Sequence, residues 1–287
     1  MHAGWNLACK SRTPSAAFFA LATLSSVVVM TPIFIYSIPY LGMVPHTIWG
    51  LLVVTGFFQA FYYINLGNAY RLNDMSLAYP IARSLPVIIV PIVCAIAGFG
   101  KPLSLHAVLG MIIIAAGCML LPLSSFKWAT FRGFFHYSFL FVIFAAIGIS
   151  GYSIIDSLGL ELLTGGVHPF SRMGAALFFI AFENLCILLY IWPFVLLTRR
   201  EKINLRIIKK RSLLVPLLAG PVVTFTYTLV LLAMQFATNV SYIVAFRQVS
   251  IVIGVILGIV ILKEKSTPFK IVGTLMIFAG LVLAAVG

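Results

Sequence analysis

The sequence predicts an all-α polytopic membrane protein built from two inverted repeats of five helices each (5+5). Three observations lead to this fold class. The 287 residues are 62% hydrophobic and only 9% charged, with a mean hydropathy of +1.13, which leaves too little polar surface for a soluble globule. Apolar runs of about 20 residues, the length of helix that crosses a bilayer, recur along the chain. Finally, the end of the first half of the chain is repeated at the end of the second half.

Apolar runs of spanning length make up most of the chain. Several contain proline, for example Pro86 and Pro221. Membrane helices tolerate proline because neighbouring helices satisfy the freed backbone groups. Nine spans are predicted, at 15–37, 47–69, 75–97, 103–122, 136–158, 171–198, 212–234, 239–262 and 267–286.

The internal repeat divides the chain into 1–122, a linker at 123–135, and 136–287. LAYPIARSLP at 77–86 aligns with SYIVAFRQVS at 241–250, which places Arg83 on Arg247. After a gap of one residue, two glycines of the span 103–122 align with two of the last span. A weaker match at the front aligns residue 1 with residue 148, whereas the corresponding span begins near residue 136. We therefore expect the first of ten helices to be only half present.

Loop charge predicts how the helices are oriented. With the partial helix counted as helix one, the loops after the odd-numbered helices hold 14 of the 19 lysines and arginines, seven of them in RREKINLRIIKKR at 199–211, and Lys270 just inside the last helix makes 15 on that side. The positive-inside rule places these loops in the cytoplasm and the C-terminus outside. Five helices per half then invert one half relative to the other. The clustering in one loop argues against a nucleic-acid partner and favours contact with anionic lipid at 199–211.

Arg83 and Arg247 are the leading candidate site residues. Each is the ninth residue of its span, and a charge near the bilayer centre costs about 2.5–3.5 kcal/mol unless it faces a cavity or a partner. One interpretation is a central site in which both guanidinium groups bind an anionic or strongly hydrogen-bonding small molecule. The alternative is that they pair with Glu183, Asp156 or free carbonyl groups and lock helices together. Tyr79 and Ser250 are placed on the same helix faces as the two arginines.

Further candidates flank this pair. Glu183 lies near the centre of its span, where a buried carboxyl group is suited to carry protons; a permanent ion pair with an arginine is the alternative. Asp156, near the end of its span, is expected to serve as an interfacial cap or loop partner. Trp5, Asn6 and Tyr152 occupy repeat-related positions and are candidates to contact a substrate, with packing as the alternative.

No cofactor, metal site or catalytic group is predicted. The four cysteines lie in apolar segments without CxxC spacing, and the six acidic residues are scattered. The chain has neither HExxH nor a GxxxxGK[ST] loop, which argues against an intramembrane metalloenzyme and against direct use of nucleotide.

Several segments resemble the EamA-type, ten-helix branch of the drug/metabolite transporter superfamily. They are HAGWNLACK at 2–10, LAYPIARS at 77–84, AFRQVSIVIGVILGIVILKEK at 245–265 and the glycine-spaced last helices. The resemblance implies a secondary transporter in the bacterial inner membrane that exports a small metabolite, with a proton gradient as its energy source. Internal repeats in a very apolar chain favour the same class. An uncoupled facilitator or channel is the alternative, and an intramembrane enzyme is a weaker one.

The resemblance also bears on assembly and orientation. In small multidrug-resistance relatives, glycines seven residues apart on the last helix form a dimer contact. Here we expect Gly110 and Gly117 to meet Gly273 and Gly280 within one chain, so the protein is a monomer or a homodimer. Gly254 and Gly258 predict another close helix contact. Family members have both termini in the cytoplasm, in disagreement with the loop charges.

Overall fold

The computed structural model describes residues 14–72, 75–123, 137–165, 170–211, 213–260 and 267–286, and within these ranges every regular element is helical. The helices are α1 (Ala16–Val29), α2 (Thr31–Ser37), a 3₁₀ helix (Ile38–Met43), α3 (His46–Leu72), α4 (Met75–Ala97), α5 (Leu105–Leu120), α6 (Phe139–Thr164), α7 (Arg172–Leu197), α8 (Arg199–Arg211), α9 (Leu214–Met234), α10 (Val240–Phe246), α11 (Val249–Val260) and α12 (Pro268–Val286).

Length and composition make this a multi-pass membrane protein. Seven helical segments of the described chain are long and apolar enough to cross a bilayer, and α1 with the helices that follow it meets the same criterion only as a pair bent by 52°, so the described chain has seven to eight candidate spans. Large apolar side chains on the outside of the bundle remain exposed, including Ile96 at 82% and Leu275 at 62%. In a bilayer these faces meet lipid chains instead of water. The predicted fold class is therefore confirmed at the level of a helical, multi-pass membrane protein.

Glycines hold α5 against α12. A Cβ atom built on Gly110 would lie 2.6 Å from the carbonyl oxygen of Gly280, and one on Gly117 would lie 2.7 Å from that of Gly273. Such a close approach of two backbones is possible because neither helix carries a side chain there. The predicted contact within one chain is confirmed. The prediction for Gly254 is wrong, because a Cβ there would meet nothing within 4 Å.

Two predicted spans are not continuous helices. The span 15–37 bends at Met30, between α1 and α2. The span 239–262 is interrupted at Arg247 and Gln248, between α10 and α11. This second break releases backbone groups inside the protein, and their partners define the central site.

The basic segment expected to be a loop is the helix α8. Its Glu201 is buried and accepts a hydrogen bond of 3.0 Å from the backbone N–H of Ala17 in the first turn of α1. The first N–H groups of a helix have no partner within the helix, so a carboxylate there both bonds and complements the helix dipole. The basic helix is thereby attached to the start of the described bundle.

Candidate functional site

The two repeat-related arginines meet at the break between α10 and α11. Nη2 of Arg83 on α4 donates a hydrogen bond of 2.9 Å to the carbonyl oxygen of Arg247, and its Nε donates to Oε1 of Gln248 at 3.4 Å. In return, Nε2 of Gln248 donates to the carbonyl oxygen of Arg83 at 3.1 Å. Arg83 therefore holds α4 against the break. This agrees with the alternative interpretation, in which an arginine bonds a free carbonyl group and locks helices together.

Arg247 is placed differently. Its Nη2 donates to the hydroxyl of Tyr152 at 3.2 Å and its Nη1 to that of Ser153 at 3.5 Å, while its guanidinium lies 5.6 Å from the ring centre of Tyr227. Nε is buried without a hydrogen-bond partner among the described residues. A buried donor without a partner costs roughly 1–3 kcal/mol, so this N–H is available for a ligand.

A small cavity lies between these groups. Its volume is about 30 Å³. Because a cavity needs roughly 10–15 Å³ to hold one water molecule, this one has space for water but not for a metabolite. Gln59 in the wall has a buried Oε1 without a partner. The lining residues are Gln59, Tyr62, Tyr63, Arg83, Pro86, Ile149, Tyr152, Val223, Tyr227, Val244, Arg247 and Gln248.

A larger open space lies at one end of the bundle. This vestibule has a volume of about 470 Å³ and is bordered by polar groups that include Lys101, Glu161 and Asn239. Asn239 ties its rim together: its Nδ2 donates to the carbonyl oxygen of Lys101 at 3.0 Å, and its Oδ1 accepts from the backbone N–H of Ser241 at 2.9 Å. Vestibule and cavity share α10, where Val240 lines the first and Val244 the second, about 6 Å apart at 1.5 Å per residue.

Two buried carboxyl groups lie inside the same bundle. Asp156 is fully buried on α6 and accepts hydrogen bonds from the hydroxyls of Thr55 on α3 and Tyr227 on α9. The expectation that Asp156 caps a helix end is wrong, because α6 continues to Thr164. Glu183 on α7 is also fully buried, and neither of its oxygens has a hydrogen-bond partner among the described residues.

The ion-pair alternative for Glu183 finds no support in the described part of the chain. The ion pair seen there joins Arg200 and Glu201 on α8 at 4.0 Å. Neither Arg83 nor Arg247 lies within that distance of Glu183 or Asp156. The interior therefore holds two arginines and two acids without direct contact between them; Asp156 bonds two hydroxyl groups, whereas Glu183 has no hydrogen-bond partner among the described residues.

The remaining candidates are distributed around this centre. Tyr152 lines the cavity. Tyr79 has the guanidinium of Arg83 5.7 Å from its ring centre, but its hydroxyl is buried without a partner and it is not among the cavity-lining residues. Ser250 donates to the carbonyl oxygen of Arg247 at 2.8 Å and lines a groove on the outside of α9 and α11. Trp5 and Asn6 lie outside the described residues.

Several cavity residues could not be recognised as a set in the sequence. Tyr62 and Tyr63 lie in an aromatic run that hydropathy alone assigns to packing. Gln248 contacts α4 through its hydrogen bonds with Arg83, and it also lines the cavity. Thr55 gives no signal that separates it from other polar residues of membrane helices.

The fold and the central cluster define a multi-pass helical membrane protein with a buried site of arginines and tyrosines. No family model and no curated protein matches the chain. One solved structure, described as "Crystal structure of protein", superposes with a TM-score of 0.63 at 16% sequence identity, over 98% of this chain and 93% of that chain. At this identity the likeness shows the fold alone.

Proposed function

We propose that the protein is a secondary transporter of the EamA type in the drug/metabolite transporter superfamily. It moves a small polar or anionic metabolite across the bacterial inner membrane, in the direction of export, without a cofactor. The two repeats, inverted in the membrane and divided at 123–135, rock about the central site so that it opens to one side at a time. The basic helix α8 faces the cytoplasm and contacts anionic lipid.

The observation that carries this proposal is the environment of Arg247. Its guanidinium lies between tyrosine side chains at a buried cavity, and its Nε has no partner among the described residues. A guanidinium presents its N–H groups in a planar fork that matches a carboxylate, phosphate or phosphonate, which favours substrates carrying one of these groups.

The sizes of the two spaces support alternating access. The cavity at Arg247 has room for about two water molecules, whereas the vestibule one helical turn away has about 470 Å³. This arrangement suits a state in which a wide space at one end of the bundle narrows to a small cavity at Arg247. Entry of a metabolite then requires the helices that line the cavity to move apart.

Binding is tested by thermal unfolding of the purified protein with a panel of small carboxylates, phosphates and phosphonates. A ligand at 100 times its dissociation constant adds about 2.7 kcal/mol to the free energy of unfolding. We expect stabilisation by at least one anion, its loss in Arg247→Ala, and its retention in the control Arg211→Ala, which removes an exposed arginine of α8. Stabilisation that survives Arg247→Ala would contradict the proposed site.

Transport is tested with the best ligand of that panel in proteoliposomes. If Glu183 carries protons, Glu183→Gln should abolish accumulation driven by a pH gradient and preserve exchange of labelled for unlabelled ligand. Accumulation that is unchanged in Glu183→Gln would exclude this role. Flux of the wild-type protein that ignores the pH gradient would identify an uncoupled facilitator, and chemical conversion of the ligand would identify an enzyme.

A further inference from the structure

Asp156 has a hydrogen-bonding environment unlike that of Glu183, the other fully buried acid among the described residues. Its Oδ1 accepts from the hydroxyl of Thr55 and its Oδ2 from that of Tyr227, while the side chain is fully buried. Hydroxyl groups donate to a carboxylate and also accept from a carboxylic acid. The site can therefore satisfy Asp156 in both its ionised and its protonated state.

Tyr227 connects Asp156 to the cavity. Its hydroxyl donates to Asp156, and its ring lies 5.6 Å from the guanidinium of Arg247 and 5.6 Å from the ring of Tyr152, nearly perpendicular at 84°. The hydroxyl of Tyr152 accepts from Arg247. One aromatic layer thus separates the negative charge of an ionised Asp156 from the positive charge of Arg247. In a low-dielectric interior, charges separated by a single side chain interact more strongly than they do in water.

Glu183 is less suited to exchange a proton. Neither of its oxygens has a hydrogen-bond partner among the described residues, and the side chain is fully buried. An ionised carboxylate there would have neither water nor a hydrogen-bond donor to stabilise its charge, so the neutral acid is favoured. Asp156 therefore remains as the interior acid with a stabilised ionised state.

The charged and titratable groups around Asp156 come from each helix that contacts α6. These groups are Tyr62 and Tyr63 on α3, Tyr79, Arg83 and Cys94 on α4, Glu183 and Cys186 on α7, Tyr227 on α9, Arg247 after α10, and Tyr152 and Glu161 on α6 itself. Among them, Arg247 is the cation that lies beside the ring of Tyr227, whereas Arg83 donates to a backbone carbonyl and to the side chain of Gln248.

We propose that Asp156 is a proton-binding site coupled through Tyr227 to the charge of Arg247. A hydronium ion gives its proton to one carboxylate oxygen: one O–H bond of the hydronium ion breaks, which leaves water, and the O–H bond of the carboxylic acid forms. The negative charge that offsets Arg247 then disappears, so the guanidinium attracts an anion more strongly. By linkage, a bound anion strengthens proton binding at Asp156 by the same factor.

This inference rests on the proposed function for its consequence in transport. Because binding of the two solutes is mutually favourable, the anion and the proton cross together. Export of the anion would then follow the anion's own gradient and would carry a proton out, instead of drawing energy from proton entry. Glu183 is left as a neutral acid within the bundle.

The proton site is tested without any ligand by infrared spectroscopy of the purified protein. The carbonyl band of a protonated carboxyl group is followed between about pH 5 and pH 8. We expect one titrating band that is absent in Asp156→Asn and remains in Glu183→Gln and in the control Glu161→Gln, which changes an exposed acid of α6. A titrating band that disappears in Glu183→Gln and remains in Asp156→Asn would overturn the proposal.

The coupling is tested by the same titration in Arg247→Gln. Removing the cation should make Asp156 bind protons roughly tenfold more tightly, which moves the midpoint upward by about one pH unit. Tyr227→Phe, which removes a donor to ionised Asp156 but keeps the ring, should shift it in the same direction. An unchanged midpoint in both variants would refute the coupling.

A separate measurement with sulfate keeps this inference distinct from the proposed function. Sulfate retains both of its charges over this range, so a change of its affinity with pH reports on the protein. We expect roughly tenfold tighter binding at the acidic end and no such difference in Asp156→Asn. Affinity independent of pH in the wild-type protein would contradict the linkage. Failure of sulfate and of the whole anion panel to bind would overturn the proposed function, while the infrared titration still decides the proton site.

Discussion

The contact between α5 and α12 can be tested by adding a single methyl group. In Gly110→Ala the new Cβ would lie 2.6 Å from the carbonyl oxygen of Gly280 and 2.8 Å from the backbone nitrogen of Ala284. Cβ atoms essentially never approach another atom within 3.0 Å, and here the neighbours are backbone atoms that cannot rotate away. The two helices must therefore separate, which is a case of overpacking and costs about 1–3 kcal/mol.

Gly254→Ala is the matched control. The residue lies within α11, and its new Cβ would meet nothing within 4 Å. Both substitutions gain about 0.8–1.0 kcal/mol of helix propensity from replacing glycine with alanine. Their difference therefore isolates the steric cost at Gly110.

The assay is reversible unfolding in mixed detergent micelles, followed by circular dichroism. We expect Gly110→Ala to be less stable than Gly254→Ala by about 1–3 kcal/mol. Gly117→Ala should behave like Gly110→Ala, because its Cβ would lie 2.7 Å from the carbonyl oxygen of Gly273. Equal stability of all three variants, within about 0.5 kcal/mol, would refute the reasoning that the backbones of α5 and α12 are in contact.

Three further predictions concern buried hydrogen bonds. Tyr79→Phe should leave the free energy of unfolding unchanged or slightly raised, because the hydroxyl of Tyr79 has no partner among the described residues. Tyr227→Phe should lower the free energy of unfolding by about 1–3 kcal/mol, because it removes a donor to a buried carboxylate. A loss in Tyr79→Phe that exceeds the loss in Tyr227→Phe would contradict this. Glu201→Ala should cost about 1.5–3 kcal/mol in the same assay through the lost bond to α1, and Glu161→Ala, at an exposed position, less than about 0.5 kcal/mol. Asn239→Ser should keep the cap of α10 and therefore most of the stability, but it should speed amide hydrogen exchange in the loop at 98–101, because the bond to the carbonyl group of Lys101 is lost. Asn239→Ala should speed exchange in the same way and should also lower the free energy of unfolding by about 1 kcal/mol. Slow exchange in both variants would contradict the role of Asn239 in holding this loop against α10.

The sequence was most informative about segments and least about how they meet. Pairing Gly110 and Gly117 with Gly280 and Gly273 required nothing beyond the repeat, because a backbone contact needs glycine on both helices. Gly254 makes no such contact, because two glycines four residues apart on one helix do not show whether another helix lies opposite. Ser250 does lie beside Arg247, because it donates to the carbonyl oxygen of Arg247 and both residues line the groove outside α9 and α11, although the helix is broken at this point.

The candidate site followed from the sequence in part. Arg83 and Arg247 were identified from the cost of charge in a membrane and from their positions in the repeat, and the structure brings them to one cavity. Their different surroundings depend on the break after α10, where Arg83 donates to the carbonyl oxygen of Arg247 while Nε of Arg247 has no partner among the described residues. The prediction that Asp156 caps the end of its helix is wrong, because the predicted span ends at residue 158 whereas α6 continues for almost two more turns.

The sequence by itself determined the class of protein, the approximate helices and the residues that are expensive to bury. These are local properties, and the thickness of the bilayer sets the length of apolar run that counts. The tertiary structure alone decided which polar groups meet. Asp156 is 101 positions from Thr55 and 71 from Tyr227, so their hydrogen bonds exist only because α3, α6 and α9 pack side by side. Buried polar groups must find partners wherever packing places them, and no local pattern in the chain records that choice.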